Sequence, residues 1–170
     1  MTFETQKEKF NDVITLIAPR HIERSREIIE TLNSKNLRYV CHSESKKIKK
    51  NTDVYLVDTY GESKSFYKIS NVVFLGGSLV PKGGQNPLEA LRFGCGILHG
   101  NHTFNFKDIY KLLKLLHASK KVNTPKQLAS SITFKKNKKI GMKIKNIGEK
   151  ILKGTIKELD NIIKNEIKKT

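Results

Sequence analysis

The densest chemistry in this sequence lies between Phe74 and Leu91, in the run Phe-Leu-Gly-Gly-Ser-Leu-Val-Pro-Lys-Gly-Gly-Gln-Asn-Pro-Leu-Glu-Ala-Leu. Val72 to Leu75 is apolar and reads as a strand, and the glycines at 76, 77, 83 and 84 follow it. Such a turn lets backbone N–H groups approach a ligand closely, and a helix that starts behind it presents its positive end to an anion. Asn86 is a good N-cap and Pro87 suits the first helical position. Glu89 then falls one turn on, roughly on the same face as Asn86, where a carboxylate can accept hydrogen bonds from sugar hydroxyls. A helix-capping glutamate in an ordinary strand-to-helix turn is the plain structural alternative.

Further polar motifs follow other apolar runs: Pro19-Arg20-His21 after Val13–Ala18, Asp58-Thr-Tyr-Gly-Glu62 after Val54–Val57, and Gly100-Asn-His-Thr-Phe-Asn-Phe106 after Gly96–His99. In a parallel sheet, ligands bind at the carboxyl ends of strands. These motifs are therefore expected to converge on one sheet edge. Arg20 offers a fixed cation for phosphate or carboxylate. Gly61 and Glu62 can hold a base or ribose edge through backbone and carboxylate. Together they describe a pocket for an anionic, hydroxyl-rich small molecule such as a nucleotide sugar.

The elements that must position these residues alternate. Strands are expected at Val13–Ala18 (buried on both faces), Leu37–Cys41, Val54–Val57, Val72–Leu75 and Gly96–His99. Helices are expected at Ser25–Asn33, Ser63–Ile69, Leu88–Phe93, Phe106–His117 and Pro125–Ser131. From Ile140 the apolar residues at 140, 144, 147, 151, 156, 159 and 163 have helical spacing, with Gly141, Gly148 and Gly154 expected to break that stretch into pieces. The fold class is α/β, a doubly wound parallel sheet with a helical C-terminal tail. Residues 1–134 form the nucleotide-sugar-binding domain and residues 135–170 a basic helical tail.

Composition excludes several classes. The chain has 170 residues, enough for a real core, and a mean hydropathy of −0.47. No apolar run reaches the length of a membrane span, and the N-terminus lacks a signal-peptide pattern. The cysteines, Cys41 and Cys95, are far apart and without metal-ligand spacing, which points to free thiols in a reducing cytosol. The net charge of +17 is mostly lysine, dense at Lys46–Lys50 and Lys135–Lys145. No aromatics interleave with these clusters, so nucleic acid is not expected as a partner. They read as solvated faces, with attraction to an anionic membrane surface as the functional alternative.

Pro19-Arg20-His21-Ile-Glu23-Arg24, Asp58-Thr-Tyr-Gly-Glu62, Gly76-Gly-Ser-Leu-Val-Pro-Lys-Gly-Gly-Gln-Asn-Pro-Leu-Glu89 and His102-Thr-Phe-Asn-Phe106 resemble the motifs of 3-deoxy-D-manno-octulosonic acid (Kdo) transferases, in order and spacing, along roughly residues 13 to 130. The resemblance implies the C-terminal, donor-binding, Rossmann-like half of a GT-B glycosyltransferase. Such enzymes move Kdo from CMP-Kdo to the lipid A precursor of lipopolysaccharide, at the cytoplasmic face of the bacterial inner membrane, with inversion and without a metal. It further implies CMP contacts at Pro19, Arg20, Tyr60, Gly61, Glu62, Asn86, Pro87, Leu88 and Glu89, with additional donor contacts at Gly77, Ser78 and Lys82. Tyr60 stands where the family usually has a smaller aliphatic residue.

No catalytic residue is assigned to this chain, because the resemblance places the general base, the membrane anchor and the acceptor surface in the family's N-terminal domain. That domain is the expected partner if the protein is split. The sequence also starts after the family's Ser-Thr-His segment, so a sheet short of its first strand, with unpaired neighbours, is expected. His21, His99 and His102 read as hydrogen-bonding structural residues, and no carboxylate or Cys completes a metal site at His99 and His102. No cofactor is implied beyond the donor CMP-Kdo. A non-catalytic remnant and the domain of another nucleotide-sugar glycosyltransferase are the alternatives.

Overall fold

The structure, a computed structural model, describes residues 13–45, 47–132 and 136–167. Lys46 and Lys135 of the lysine clusters, and the expected domain boundary after residue 134, lie outside the described residues. The chain divides into two compact units between Ile69 and Ser70.

The first unit holds strands β1 (Thr15–Ile17), β2 (Tyr39–Cys41) and β3 (Val54–Leu56), with helices α1 (Ser25–Ser34) and α2 (Ser63–Ile69). The strands pair in parallel in the order β1-β3-β2, with Leu16 opposite Tyr55 and Val40 opposite Tyr55 on the other side. β3 is the central strand and is wholly buried. β1 was expected to be buried on both faces but is only half-buried, because among the described residues it pairs on one side alone. The turn into β3 is tied by Asp53, whose buried carboxylate accepts from the Arg38 amide at 2.9 Å and from its guanidinium at 3.2 and 3.3 Å.

The second unit repeats the parallel pattern with β4 (Val72–Phe74), β5 (Gly96–His99) and β6 (Ser119–Lys121), in the order β4-β5-β6. Its helices are α3 (Leu88–Arg92), α4 (Lys107–Leu115), α5 (Pro125–Ser130) and α6 (Lys138–Ile167). Its interior is apolar and closed: Leu75, Leu91, Ile97, Leu98, Leu113 and Val122 are all buried. Thr124 caps α5 by accepting the Gln127 amide at 3.1 Å, as the Thr-Pro pair requires. β6, a Ser-Lys-Lys segment, carries no hydrophobic signal and was not expected; it forms because its backbone pairs with β5.

α6 corrects another expectation, for it runs unbroken through Gly141, Gly148 and Gly154. Glycine costs a helix only about 1 kcal/mol, and one packing contact offsets that. At Gly141 a Cβ would lie 2.9 Å from the Gly94 nitrogen and 3.0 Å from the Arg92 oxygen, so the absent side chain is what seats α6 against α3.

Candidate functional site

In the first unit the chemistry gathers behind the carboxyl ends of β2 and β3. His42 follows β2, while Asp58 to Glu62 follow β3 and lead into α2. The Glu62 carbonyl accepts the Ser65 amide at 2.9 Å, so the helix start fixes this residue's backbone. Its carboxylate is fixed too: Oε2 accepts from Thr59 Oγ1 at 3.2 Å and contacts His42 Nε2. The other imidazole nitrogen, Nδ1, lies 2.5 Å from the Tyr55 hydroxyl, which is also 3.2 Å from Ser45 O. Phe66 and Tyr55 meet the His42 ring edge-on, at 5.4 and 5.6 Å between centroids.

Electrostatics in this cluster favour the charged form of Asp58. Burial opposes the charge on Asp58, yet its hydrogen bonds from the Ser43 hydroxyl (2.5 Å) and amide (2.9 Å) prevail, and its carboxyl lies below the usual range. Tyr55 is held above the ordinary phenol value by burial and by the charges of Glu62 and Asp58. Cys41 is pushed up to about 11 by burial and by Glu44 and Asp58, so it stays a thiol at neutral pH.

The Pro19-Arg20 pair lies behind β1 in the same unit. Arg20 is exposed and, among the described residues, has no ion-pair partner, unlike nearby Arg24, which pairs with Glu27 at 3.1 Å. Tyr60 is 62% exposed, its hydroxyl 3.4 Å from Glu23 Oε1. Gly61 beside it has φ +88, a conformation open to glycine.

In the second unit the glycine-rich turn follows β4 as expected, and Gly77, Gly83 and Gly84 have positive φ. Asn86 Oδ1 accepts the Leu88 amide at 3.0 Å, while Pro87, already helical in φ and ψ, is the residue that precedes α3. The Asn-Pro pair thus starts the helix. α3 has five residues, which limits its dipole. Glu89 is half-buried in the first turn and Lys82 is exposed. Ser78 is fully buried: its hydroxyl donates to Leu75 O at 2.6 Å and accepts the Gly100 amide at 2.8 Å. Its side chain therefore ties the turn after β4 to the end of β5. His99 is held by Gly100 O at 2.7 Å and packs on Tyr110, and burial keeps it below the ordinary histidine value.

Expected site residues are thus distributed on both sheets: Pro19, Arg20, Tyr60, Gly61 and Glu62 on the first, Gly77, Ser78, Lys82 and Asn86 to Glu89 on the second. His42 and Tyr55 were missed. The available signals were a tyrosine in an otherwise aliphatic strand and a histidine directly after the strand beside it. Among the described residues no group of three or more His, Cys, Asp and Glu side chains is placed to hold a metal ion. Among the same residues no helix is long and apolar enough to cross a membrane.

Parallel sheets flanked by helices, with polar turns at the strands' carboxyl ends, define a Rossmann-like domain of the GT-B C-terminal type. Its backbone is similar to the crystal structure of the C-terminal CMP-Kdo binding domain of WaaA from Acinetobacter baumannii, with a TM-score of 0.73 and 30% identity over 77% of this chain and 68% of that one. A 3-deoxy-D-manno-octulosonic acid transferase from Haemophilus influenzae is 37% identical over 116 residues, 68% of this chain and 27% of that protein. A second, from Rickettsia prowazekii, is 32% identical over 147 residues, 86% of this chain and 32% of that protein. No family model matches the chain. The chain belongs to the 3-deoxy-D-manno-octulosonic acid transferase family, as its C-terminal domain. It spans about a third or less of the length of these curated relatives.

Proposed function

We propose that this chain is the donor-binding part of a Kdo transferase and holds CMP-Kdo, with Arg20 of its first unit for the phosphate and Glu62 of the same unit for a ribose hydroxyl. The observation that carries the reading is the match to the Acinetobacter domain, named for CMP-Kdo binding, over most of this chain. Departure of CMP leaves negative charge on phosphate, and a guanidinium beside it stabilises that charge. The attacking lipid hydroxyl needs a base, which this reading draws from an N-terminal half of the transferase. The acceptor is the lipid A precursor, met at the cytoplasmic face of the inner membrane, where the lysine-rich surface faces anionic lipid. Donor binding needs no metal.

Calorimetric titration of the folded chain with CMP and UMP tests this. CMP binds weakly and in preference to UMP, equally well with a chelator present; equal or absent binding of both nucleotides overturns the reading. Arg20→Ala weakens CMP binding by about 1.5–3 kcal/mol, roughly ten- to a hundred-fold, without lowering the melting temperature. The chain alone transfers no Kdo from CMP-Kdo to lipid A precursor, and turnover by the pure chain contradicts the division of labour.

A further inference from the structure

The cluster behind β2 and β3 contains a device that the donor-binding reading does not use. Glu62 Oε2 is occupied twice, by Thr59 Oγ1 and by His42 Nε2, whereas Oε1 has no hydrogen-bond partner among the described residues. A carboxylate only accepts, so Nε2 carries the proton of its contact and donates it. The imidazole has little freedom. Its side chain is 10% exposed, its ring is braced by Tyr55 and Phe66, and Nδ1 is engaged with the Tyr55 hydroxyl. Glu62 is 37% exposed, so the same carboxylate reaches solvent on one side and a fixed donor on the other.

A flexible glutamate beside a ligand loses rotamer freedom on binding, and a donor that already holds one oxygen removes that cost in advance. We propose that His42 is a positioning residue for Glu62: it and Thr59 hold Oε2, and Oε1 is thereby presented as the acceptor for a ribose hydroxyl of the bound cytidine nucleotide. Tyr55 acts one step further back. Its hydroxyl sets the imidazole and links it to Ser45 O in the loop after β2. This rests on the donor-binding reading for the ligand, though not for the contact itself.

Two measurements on the full chain separate those claims. Nitrogen-15 spectra of the imidazole without ligand report the contact: the His42 Nε2–H signal is observed in the native protein and shifts or is lost in Glu62→Ala. A signal unaffected by Glu62→Ala overturns the proposal whether or not any nucleotide binds. Titration with CMP then reports the consequence. His42→Gln places an amide N–H near the Nε2 position and keeps affinity within about two-fold, whereas His42→Asn reaches only the Tyr55 side and weakens binding by roughly ten-fold. In a Glu62→Ala background His42→Asn has no further effect. Equal losses for the Gln and Asn variants at matched melting temperature, or a loss that persists without Glu62, overturn the positioning role. A native chain that binds no CMP overturns the donor-binding reading and the functional half of this proposal together, and the spectra still decide the contact.

Discussion

Among the described residues the two units share a plan, three parallel strands with a buried central one, and fill it differently. In the second unit apolar side chains from Leu75 after β4 and from β5, α3, α4 and α6 close the interior, and glycines allow backbones to approach one another. In the first, apart from Leu32, the buried apolar residues among those described are on β2, β3 and the residue after β3, and polar contacts among Arg38, Asp53, His42, Tyr55, Asp58 and Glu62 accompany them. Packing of the first kind gives a rigid frame. A hydrogen-bonded cluster of the second kind holds directional groups in place, at greater sensitivity to losing any one partner. The difference assigns shape to one unit and orientation of side chains to the other.

The comparison breaks most severely at Gly100. A Cβ there would stand 2.2 Å from Ser78 O, a backbone atom that also accepts the His102 amide at 2.9 Å. Gly100→Ala abolishes the cooperative melt of the second unit, followed by circular dichroism and amide spectra, whereas Gly76→Ala, with nothing within 4 Å of its Cβ, leaves it intact. Next is Leu98→Ala at the centre of β5, which costs about 3–5 kcal/mol in denaturant titrations because the closed interior cannot collapse onto the void.

In the first unit Tyr55→Phe removes one hydroxyl from a 2% exposed side chain and costs about 1–2 kcal/mol, since His42 and Ser45 O each lose a partner. A neutral outcome would mean that the polar cluster adds no stability. The smallest effect is with acid. Burial, then Lys121, holds His99 below its ordinary value of 6.5. As pH falls through that value the unfolded chain takes up the proton first, so stability is full above it and declines below it. The native melting temperature therefore drops more steeply between pH 7 and 5 than that of His99→Gln.

Elements with strong local signals were legible. Ser63–Ile69 and Gly96–His99 lie where the sequence places them, because turn residues bound one and a β-branched and aliphatic run marks the other. β6 was not, since three polar residues become a strand only through a neighbour's backbone. Continuity of α6 was hidden for the same reason: Gly141 reads as a breaker until the helix it packs against is known. At the site, Glu62 and Arg20 stand in recognisable motifs. His42 and Tyr55 are thirteen positions apart and meet only because β2 and β3 pair in register.

α6 has one further consequence, in time rather than in space. Gly141 and Ile144 are buried against the second unit, but every residue from Glu149 to Asn165 is exposed. At about 1.5 Å per residue the helix is roughly 45 Å long, and more than half of that length is held by its own backbone bonds. Unsupported helices of such length are marginal in water and unzip from the free end. Amide protons should exchange within the instrument's dead time near Lys164, progressively more slowly toward Glu149, and at the rate of global unfolding around Ile144. The boundary between a fluctuating rod and a rigid one thus lies near Gly148, and a protein that covers the stripe beyond it would be detected first as slowed exchange.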